Sequence, residues 1–575
     1  MGTRLVLPAA VMVLTVVGCS RDADEVIDAA DSEDGGLPEE TSDTEGSADG
    51  AGEPDGEAPS DTDVEPGPCP DGTPRRAWTT GTPGVLRHDL AGELELVEST
   101  GRLFSLRRAF DGCSSVVFLP DTLTRSDLDP SRIVYEDVAA LVAASPPNVH
   151  YVFVPVANSD VLAQSAARRM NSAIEAALEA LPRDENDAWF ERLHPISVRA
   201  SAAGWLSAVM REGGSGSQGF AVDREQRIRG VGSLADVTRF SAELQAADRW
   251  PWENSLSYAA NEVRRFNYEA KLRARLDAEE ATVVPLYAGE VLSQFAEKEV
   301  TLPTAEQLAT FDTLEVDVTV RCPSADGIEF NNCGPWDYLA HLYVYDGEGN
   351  LLELARFITS YHREGRAVVD ITPMLVRLAE GGVRQMRWEF APEWNVQPTA
   401  TWLSLRFSNA RKGVRPARLT PLFEGGAFGP EYNASRQPFT GRIGDDTVKT
   451  ELWALITGHG AELERCAEFC DHRHIFSVND GFFEKGFAEV GDQAGCMAQI
   501  ERGAVPNQWG TWWFGRGGWC PGMQVEPYVA DVTSRAPAGG AVRVDYAGYL
   551  GAEVPESSAG NILMRSYLVE YVPMP

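Results

Sequence analysis

The sequence predicts a mostly β protein, with two β-sandwich domains preceded by an α/β domain, and three observations carry that prediction. From about residue 283 onward, short alternating apolar runs recur between Gly, Pro, Asn and Asp, the signature of half-buried strands. Residues 69–282 instead mix short continuous apolar runs with helical periodicity. Finally, 575 residues exceed what one core serves, roughly 250, and the 43% hydrophobic content is that of globular protein.

The N-terminus reads as an export leader. Arg4 precedes an apolar run from Leu5 to Val17 that is short for a bilayer span, and Val16-Val17-Gly18-Cys19 places small residues before a cysteine. The run resembles a bacterial lipobox. That resemblance implies a lipoprotein signal peptide over 1–19, lipidation at Cys19, and, from Ser20, sorting to the outer membrane. The membrane would then be a partner through the lipid anchor alone. The plainer alternative is an ordinary signal peptide with an incidental cysteine.

Residues 20–68 hold 18 Asp or Glu against the single Arg21, nearly half of the net charge of −36. With almost nothing to bury, this stretch is expected to be a disordered acidic tether. As a coil its 49 residues span about 40 Å. So acidic a chain repels phosphate backbones, which excludes nucleic acid as the expected partner.

Within 69–282, Ser115–Leu119 and His150–Pro155 are buried-strand runs, each followed by helical periodicity. Residues 161–182 and 254–279 favour helix, the second with Val263, Phe266, Leu272 and Leu276 on one face. Gly219–Asp223 and Arg227–Val231 read as a hairpin turning through 224–226. This order is similar to a thioredoxin-like layer, although Cys113 lacks a C-x-x-C partner. Gly214, Gly216 and Gly219 fit G-x-G-x-x-G, but they follow a helical stretch (202–211) and precede a strand. That is the reverse of a dinucleotide loop, so a flexible loop is expected.

In the β half, 314–320, 338–345, 385–390 and 400–407 are representative strands, followed by 448–456, 474–478, 541–549 and 562–571. About 290 residues of short strands overfill one sandwich. The division is placed as 283–420 and 421–575.

Setting Cys19 aside leaves eight cysteines, an even number in an exported chain. Nearness suggests the pairs Cys69–Cys113, Cys322–Cys333, Cys466–Cys470 and Cys496–Cys520. No finger-type spacing is present, so structural zinc is not expected, and no metal or cofactor is assigned.

Two carboxylates stand beside these staples, Asp337 in Cys333-Gly-Pro-Trp-Asp and Glu468 in Cys466-Ala-Glu-Phe-Cys470. A rigidly held acid suits general acid–base chemistry, and acids from two domains meet only at their interface, where clefts form. Trp519, beside Cys520, adds a rigid aromatic. Solvated acids on two stapled turns are the plainer reading.

These segments resemble the bacterial peptide-N-glycosidase F family. The matching stretches are Cys322…Cys333-Gly-Pro-Trp-Asp-Tyr-Leu-Ala, Ala355–Tyr361, Val369–Thr372, Cys466-Ala-Glu-Phe-Cys-Asp-His-Arg-His474, Gly495-Cys496 and Arg516-Gly-Gly-Trp-Cys-Pro-Gly-Met523. They occur in the family's order across 283–575. The resemblance implies two side-by-side eight-stranded jelly rolls with the site in the groove between them, and the three disulfides of that half. It also implies hydrolysis of the β-aspartylglucosamine amide of N-glycans, with N-glycosylated proteins or glycopeptides as partners. Asp337 and Glu468 fall on the family's catalytic aspartate and its partner glutamate. Trp336, Tyr338, Glu393, Trp394, Arg516 and Trp519 are the candidate substrate-binding residues. Trp336 and Trp519 admit a second reading, as core plugs beside disulfides.

The surroundings depart from the family. Tyr338 replaces an arginine, Pro392 takes a glutamate position with Glu393 one place late, Gly458-His459-Gly460 lacks a tryptophan, and Phe469 replaces another. The extra domain over 69–282 is expected to shape access to the cleft. Two rival readings follow. One is a glycoprotein- or glycan-binding lipoprotein without turnover. The other is a copper monooxygenase, suggested by the H-x-H spacing of His472 and His474, although the first β domain offers only His341 and His362 as further ligands.

Overall fold

The computed structural model describes residues 67–122, 138–212, 219–246, 251–462 and 465–575. The leader, Cys19, the tether to residue 66, and the Gly214–Gly216 part of the glycine motif lie outside these residues. Strands and helices are numbered in chain order as introduced.

In the α/β region, β1 (Ser115–Thr122), β2 (Val149–Val156), β3 (Leu193–Pro195), β4 (Phe220–Val222) and β5 (Ile228–Gly230) form one sheet. Its order is β3-β2-β1-β4-β5, with β1, β2 and β3 parallel and β4 and β5 antiparallel. The β1 and β2 runs are buried on both faces, as parallel strands between helices must be. Helix α1 (Asp160–Glu179) starts at Ser159, whose hydroxyl accepts from the Leu162 amide. It buries Ala163, Ala166, Ala167, Met170, Ile174 and Leu178, one face at helical spacing. Helix α2 (Ala259–Ala278) buries Val263, Phe266, Leu272 and Leu276. The β4–β5 hairpin turns where Asp223 accepts from the Glu225 and Arg227 amides and Gln226 takes φ 58°.

The first β domain contains β6 (Ala281–Leu292), β7 (Phe295–Thr304), β8 (Thr313–Arg321) and β9 (Leu339–Tyr345), then β10 (Leu351–Ile358), β11 (Gly365–Asp370), β12 (Gly381–Glu389) and β13 (Thr399–Ser408). They form two four-stranded antiparallel sheets, β6-β13-β8-β11 and β7-β12-β9-β10. The second domain contains β14 (Val414–Ala427), β15 (Phe439–Arg442), β16 (Lys449–His459) and β17 (His472–Val478), then β18 (Gly481–Lys485), β19 (Tyr528–Asp531), β20 (Ala541–Leu550) and β21 (Asn561–Pro573). Its sheets are β14-β21-β16-β19 and β15-β20-β17-β18. The division placed between 420 and 421 is corrected, because β14 pairs with β21 from Val414 to Ala427 and therefore crosses it. The change of domain falls in 409–413, where Gly413 (φ 73°) ends the turn.

The two sandwiches share one core. Trp453, Leu455, Tyr567 and Val569 of the second pack with the first domain's apolar residues in a single cluster. Arg356 on β10 crosses this seam, donating to Thr457 Oγ1 and the Leu563 carbonyl, each at 2.9 Å. Glu353 balances the buried guanidinium through two 2.8 Å bonds and also meets His341 at 2.8 Å. A buried charge of this kind is stable only when fully paired.

The loop between β18 and β19 leaves its own domain altogether. It sends Ile500, Trp512 and Trp513 into the α/β core, against Leu256, Val263 and Phe266. Asn507 fixes it there, donating to Glu262, the Val231 carbonyl and the Tyr258 carbonyl at 2.8, 3.2 and 3.0 Å. Arg363, between β10 and β11, pairs with the same Glu262 at 2.9 Å and with Glu329 at 2.6 Å. The α/β domain thus buttresses a long loop, a role distinct from the expected shaping of access.

All four cysteine pairs suggested by nearness are joined: Cys69–Cys113, Cys322–Cys333, Cys466–Cys470 and Cys496–Cys520.

Candidate active site

Asp337 sits between the Cys322–Cys333 loop and β9, on backbone clamped from both sides. Buried Gln397 accepts from the Trp336 amide at 2.7 Å and donates to the Trp336 carbonyl at 3.0 Å. The Thr359 hydroxyl donates to that carbonyl at 2.6 Å and accepts from the Tyr338 amide at 2.7 Å. A carboxylate on backbone held this way has little freedom left to lose.

Glu468 rides on a turn closed by its own disulfide. The Cys470 amide bonds the Cys466 carbonyl at 2.7 Å, and the Gly517 amide donates to the Glu468 carbonyl at 2.7 Å. Gly517 suits this contact, since a Cβ there would lie 2.1 Å from His472 Nε2. The turn is thereby tied to the loop that carries Arg516.

Arg516 joins the two acids. It is fully buried, with Nε 3.1 Å from Glu468 Oε1 and Nη2 3.4 Å from Asp337 Oδ2. The Thr511 and Phe514 carbonyls accept from Nη1 at 3.1 and 3.0 Å, and Thr511 Oγ1 accepts from Nη2 at 3.2 Å. Its guanidinium carbon lies over the rings of Trp519 (4.9 Å) and Phe469 (5.2 Å). A planar fork with five donors suits such a bridge, where a lysine would reach one acid at a time. Each carboxylate side chain keeps 15% of its surface exposed, so both reach solvent.

Tyr361 completes the group. Its hydroxyl hydrogen-bonds Asp337 and lies 3.4 Å from Arg516 Nη2. Gln508 accepts from the Tyr361 amide at 2.8 Å. Burial, then the charge of Asp337, lifts the phenol well above its usual range, so Tyr361 stays a proton donor. Burial also raises Asp337, with Arg516 and the Tyr361 hydroxyl opposing it. Glu468 is pushed up to about 7, chiefly by burial and further by the charge of Asp337, against Arg516. The acids are coupled through one guanidinium, so their apparent values belong to the pair. A carboxyl that titrates near neutrality can hand over or take up a proton there.

The remaining sequence-derived residues divide in two. Trp336 (38% exposed) and Trp394 (79% exposed) stand open to solvent. Trp394 meets Tyr338 edge-on at 5.8 Å, and the Tyr338 hydroxyl accepts from Asn395 at 2.7 Å. Glu393 is exposed beside them. Trp519, by contrast, is a core plug. Its ring is 6% exposed, donates to the Gly458 carbonyl at 2.9 Å and stacks on His459. Of the two readings of Trp519 its burial fits the core plug, while Arg516, expected as a substrate contact, is corrected to a buried support of the acids.

Sequence reasoning gave no role to Tyr361 or Thr511. It also missed an aromatic shelf next to Tyr361, where half-exposed Phe330 stacks on His362 at 4.3 Å and Trp509 closes at 5.0 Å. These residues lie far apart in the chain on unremarkable loops. The one signal available was Tyr361 at the end of the matching Ala355–Tyr361 stretch.

His472 and His474 share one face of β17, but three of their four ring nitrogens are spent internally. His472 Nδ1 bonds His474 Nε2 at 2.8 Å, and His474 Nδ1 bonds the Tyr546 hydroxyl at 2.7 Å. Burial drives both imidazoles well towards neutrality. Among the described residues, the one converging set of three ligand-type side chains is Cys322, Cys333 and Glu364, whose sulfurs are already bonded to each other.

Residues 431–569 match the family described as "Peptide-N-glycosidase F, C terminal". Over 277 residues, 45% of this chain and 73% of the relative, the sequence is 25% identical to peptide-N(4)-(N-acetyl-beta-D-glucosaminyl)asparagine amidase F of Elizabethkingia miricola. Across this β-rich half, the chain is similar to the peptide-N-glycosidase F family. Solved structures are similar as well. The PNGase F of Flavobacterium meningosepticum, described as a glycosylasparaginase, is 18% identical over 51% of this chain and 96% of its own, with a TM-score of 0.39. PNGF-II is 12% identical over 61% of this chain and 74% of its own, with a TM-score of 0.37.

Proposed function

We propose that this chain is a member of the peptide-N-glycosidase F family and hydrolyses the amide linking N-glycans to asparagine. The observation that carries this reading is the Asp337–Arg516–Glu468 bridge, two acids from two domains aligned on one buried guanidinium at the cleft. Water adds to the side-chain amide carbon, the C–N bond breaks, and the leaving nitrogen takes a proton. Asn becomes Asp, and the glycan departs as a glycosylamine. Asp337, held by the Tyr361 hydroxyl, takes the proton of the attacking water and grips the first sugar. Glu468, half protonated near neutrality, orients the amide and supplies the proton. An acid–base pair of this sort typically contributes roughly 10²–10⁴ in rate. Trp336, Trp394, Tyr338 and Glu393 form the substrate rim, since apolar sugar faces favour flat aromatic surfaces.

In the same reading the paired four-stranded sheets are two jelly rolls, and the β3-β2-β1-β4-β5 order supports a thioredoxin-like layer over 69–282. Cys113 of that layer is bonded to Cys69, which leaves no redox pair. The lipobox-like leader supports an outer-membrane lipoprotein anchored at Cys19, acting on glycoproteins or glycopeptides.

The test is incubation of the full chain with a denatured N-glycoprotein. Release of intact glycan, with Asn converted to Asp by mass spectrometry and loss of both on Asp337→Asn, supports the amidase. Tight binding with unchanged glycoprotein identifies a non-hydrolytic receptor and overturns it.

A further inference from the structure

A cavity of about 410 Å³ opens between the α/β domain and the first sandwich, lined by none of the cleft residues above. Six arginines line it: Arg224, Arg227 and Arg229 from the β4–β5 hairpin, Arg273 from α2, Arg321 from β8, and Arg366 from β11. In a chain of net charge −36 such a concentration of cations needs a reason.

Local pairing does not supply one. The four lining carboxylates are already engaged, three of them by cations from outside the wall. Glu225 meets Arg76 at 3.0 Å, Glu269 meets Arg265 at 3.1 Å as well as Arg229 at 2.8 Å, and Glu364 meets Arg87 at 3.4 Å and lining His88 at 2.5 Å. Asp223 is taken by Arg229 at 2.9 Å. Arg224 and Arg366 are satisfied by Asp71 and Asp317.

Three guanidiniums are left over. Arg273 has only a 3.9 Å contact with Glu225, and Arg227 only the His88 carbonyl at 3.4 Å. Arg321 has no hydrogen-bond acceptor or ion-pair partner among the described residues, and its Nε is buried unsatisfied. Its guanidinium lies over the Trp402 ring at 4.7 Å. Leaving such a donor dry is costly unless an acceptor arrives. Arginine forks match tetrahedral oxyanions bidentately, and the volume is that of a small-molecule site, larger than a bare phosphate needs. Phe266 and Val320 add apolar wall for a ring face.

We propose that this cavity binds a sugar carrying a phosphate or sulfate ester, with Arg321, Arg227 and Arg273 on the oxyanion. The site is separate from the amide-hydrolysing cleft and does not depend on that activity.

The test is calorimetric titration of the full chain at fixed ionic strength with glucose 6-phosphate, glucose 6-sulfate and inorganic phosphate. Saturable one-to-one binding of an ester, tighter than inorganic phosphate, is expected. The preferred ester tells phosphate from sulfate. Arg321→Gln should weaken binding about tenfold or more and exposed Arg227→Gln severalfold, each charged fork contact contributing on that order. Glycan release should be unchanged in both. Arg227→Gln keeps the test open if Arg321→Gln folds poorly. The proposal is overturned by no saturable ester binding, by inorganic phosphate binding at least as tightly, or by binding that neither substitution weakens.

Discussion

Gly510 lies directly beneath the ring of Tyr361: a Cβ on this residue would sit 2.9 Å from the ring, and its φ of 74° is one that side chains rarely adopt. Gly510→Ala should therefore tilt Tyr361 away from Asp337. The backbone strain costs about 1–2 kcal/mol. The larger effect is expected on turnover, with kcat for glycan release down roughly tenfold or more from the lost positioning. Steady-state kinetics with a glycopeptide, beside a melting curve, separates the two.

The elevated Glu468 gives a pH signature of defined sign. Between about 4.5 and 7 the native carboxyl keeps a proton that the unfolded chain has released. Stability therefore falls as pH rises through that window. As proton donor, Glu468 should also impose a decline in kcat as pH passes about 7. Glu468→Gln should flatten the stability slope and lower kcat at all pH values. A decline that persists unchanged in the variant would assign the proton elsewhere.

Arg516→Lys should leave one carboxylate without its partner, because an ammonium cannot bond two acids and the Thr511 and Phe514 carbonyls together. Activity should drop about 10²-fold or more. The apparent pKa of the pair should rise as well, which a pH–rate profile reads directly.

The short and long disulfides should separate stability from function. Closing the turn between Cys466 and Cys470, four residues apart, contributes about 2 kcal/mol, whereas Cys69–Cys113, 44 apart, contributes about 4. Replacing the first pair with serines should cost less stability but more activity, since Glu468 loses its clamp. Denaturant melts and glycan release on the two double variants check the inversion.

Trp512→Ala tests the buttress. This ring is 1% exposed within the α/β core, and its removal should cost about 3–5 kcal/mol. Activity should fall even at temperatures where the chain stays folded, because Thr511 and Arg516 leave the same loop.

What could be read in advance followed local physics. Strand alternation placed β8, β9, β13, β16, β20 and β21, the stripe in 254–279 marked α2, and cysteine nearness gave the four bonds. Asp337 and Glu468 stood out because each adjoins a staple. The burial of Arg516, and the choice between the two readings of Trp519, were not legible, since a sequence does not show depth and both types serve equally as exposed contacts or buried supports. The sandwich boundary slipped because β14 continues through Pro416 and Pro421, which a sheet-edge strand tolerates. Tyr361, Phe330 and Trp509 were invisible because only the packing of distant loops brings them together.

The excursion of the 486–527 loop into the α/β core carries a consequence for maturation. One acid is anchored in each sandwich, while the arginine between them hangs on packing in a third region, so no fragment can assemble the trio. A chain clipped between helix α2 and strand β6, or folded in only two of the three regions, lacks the assembled trio until every region has closed on that loop.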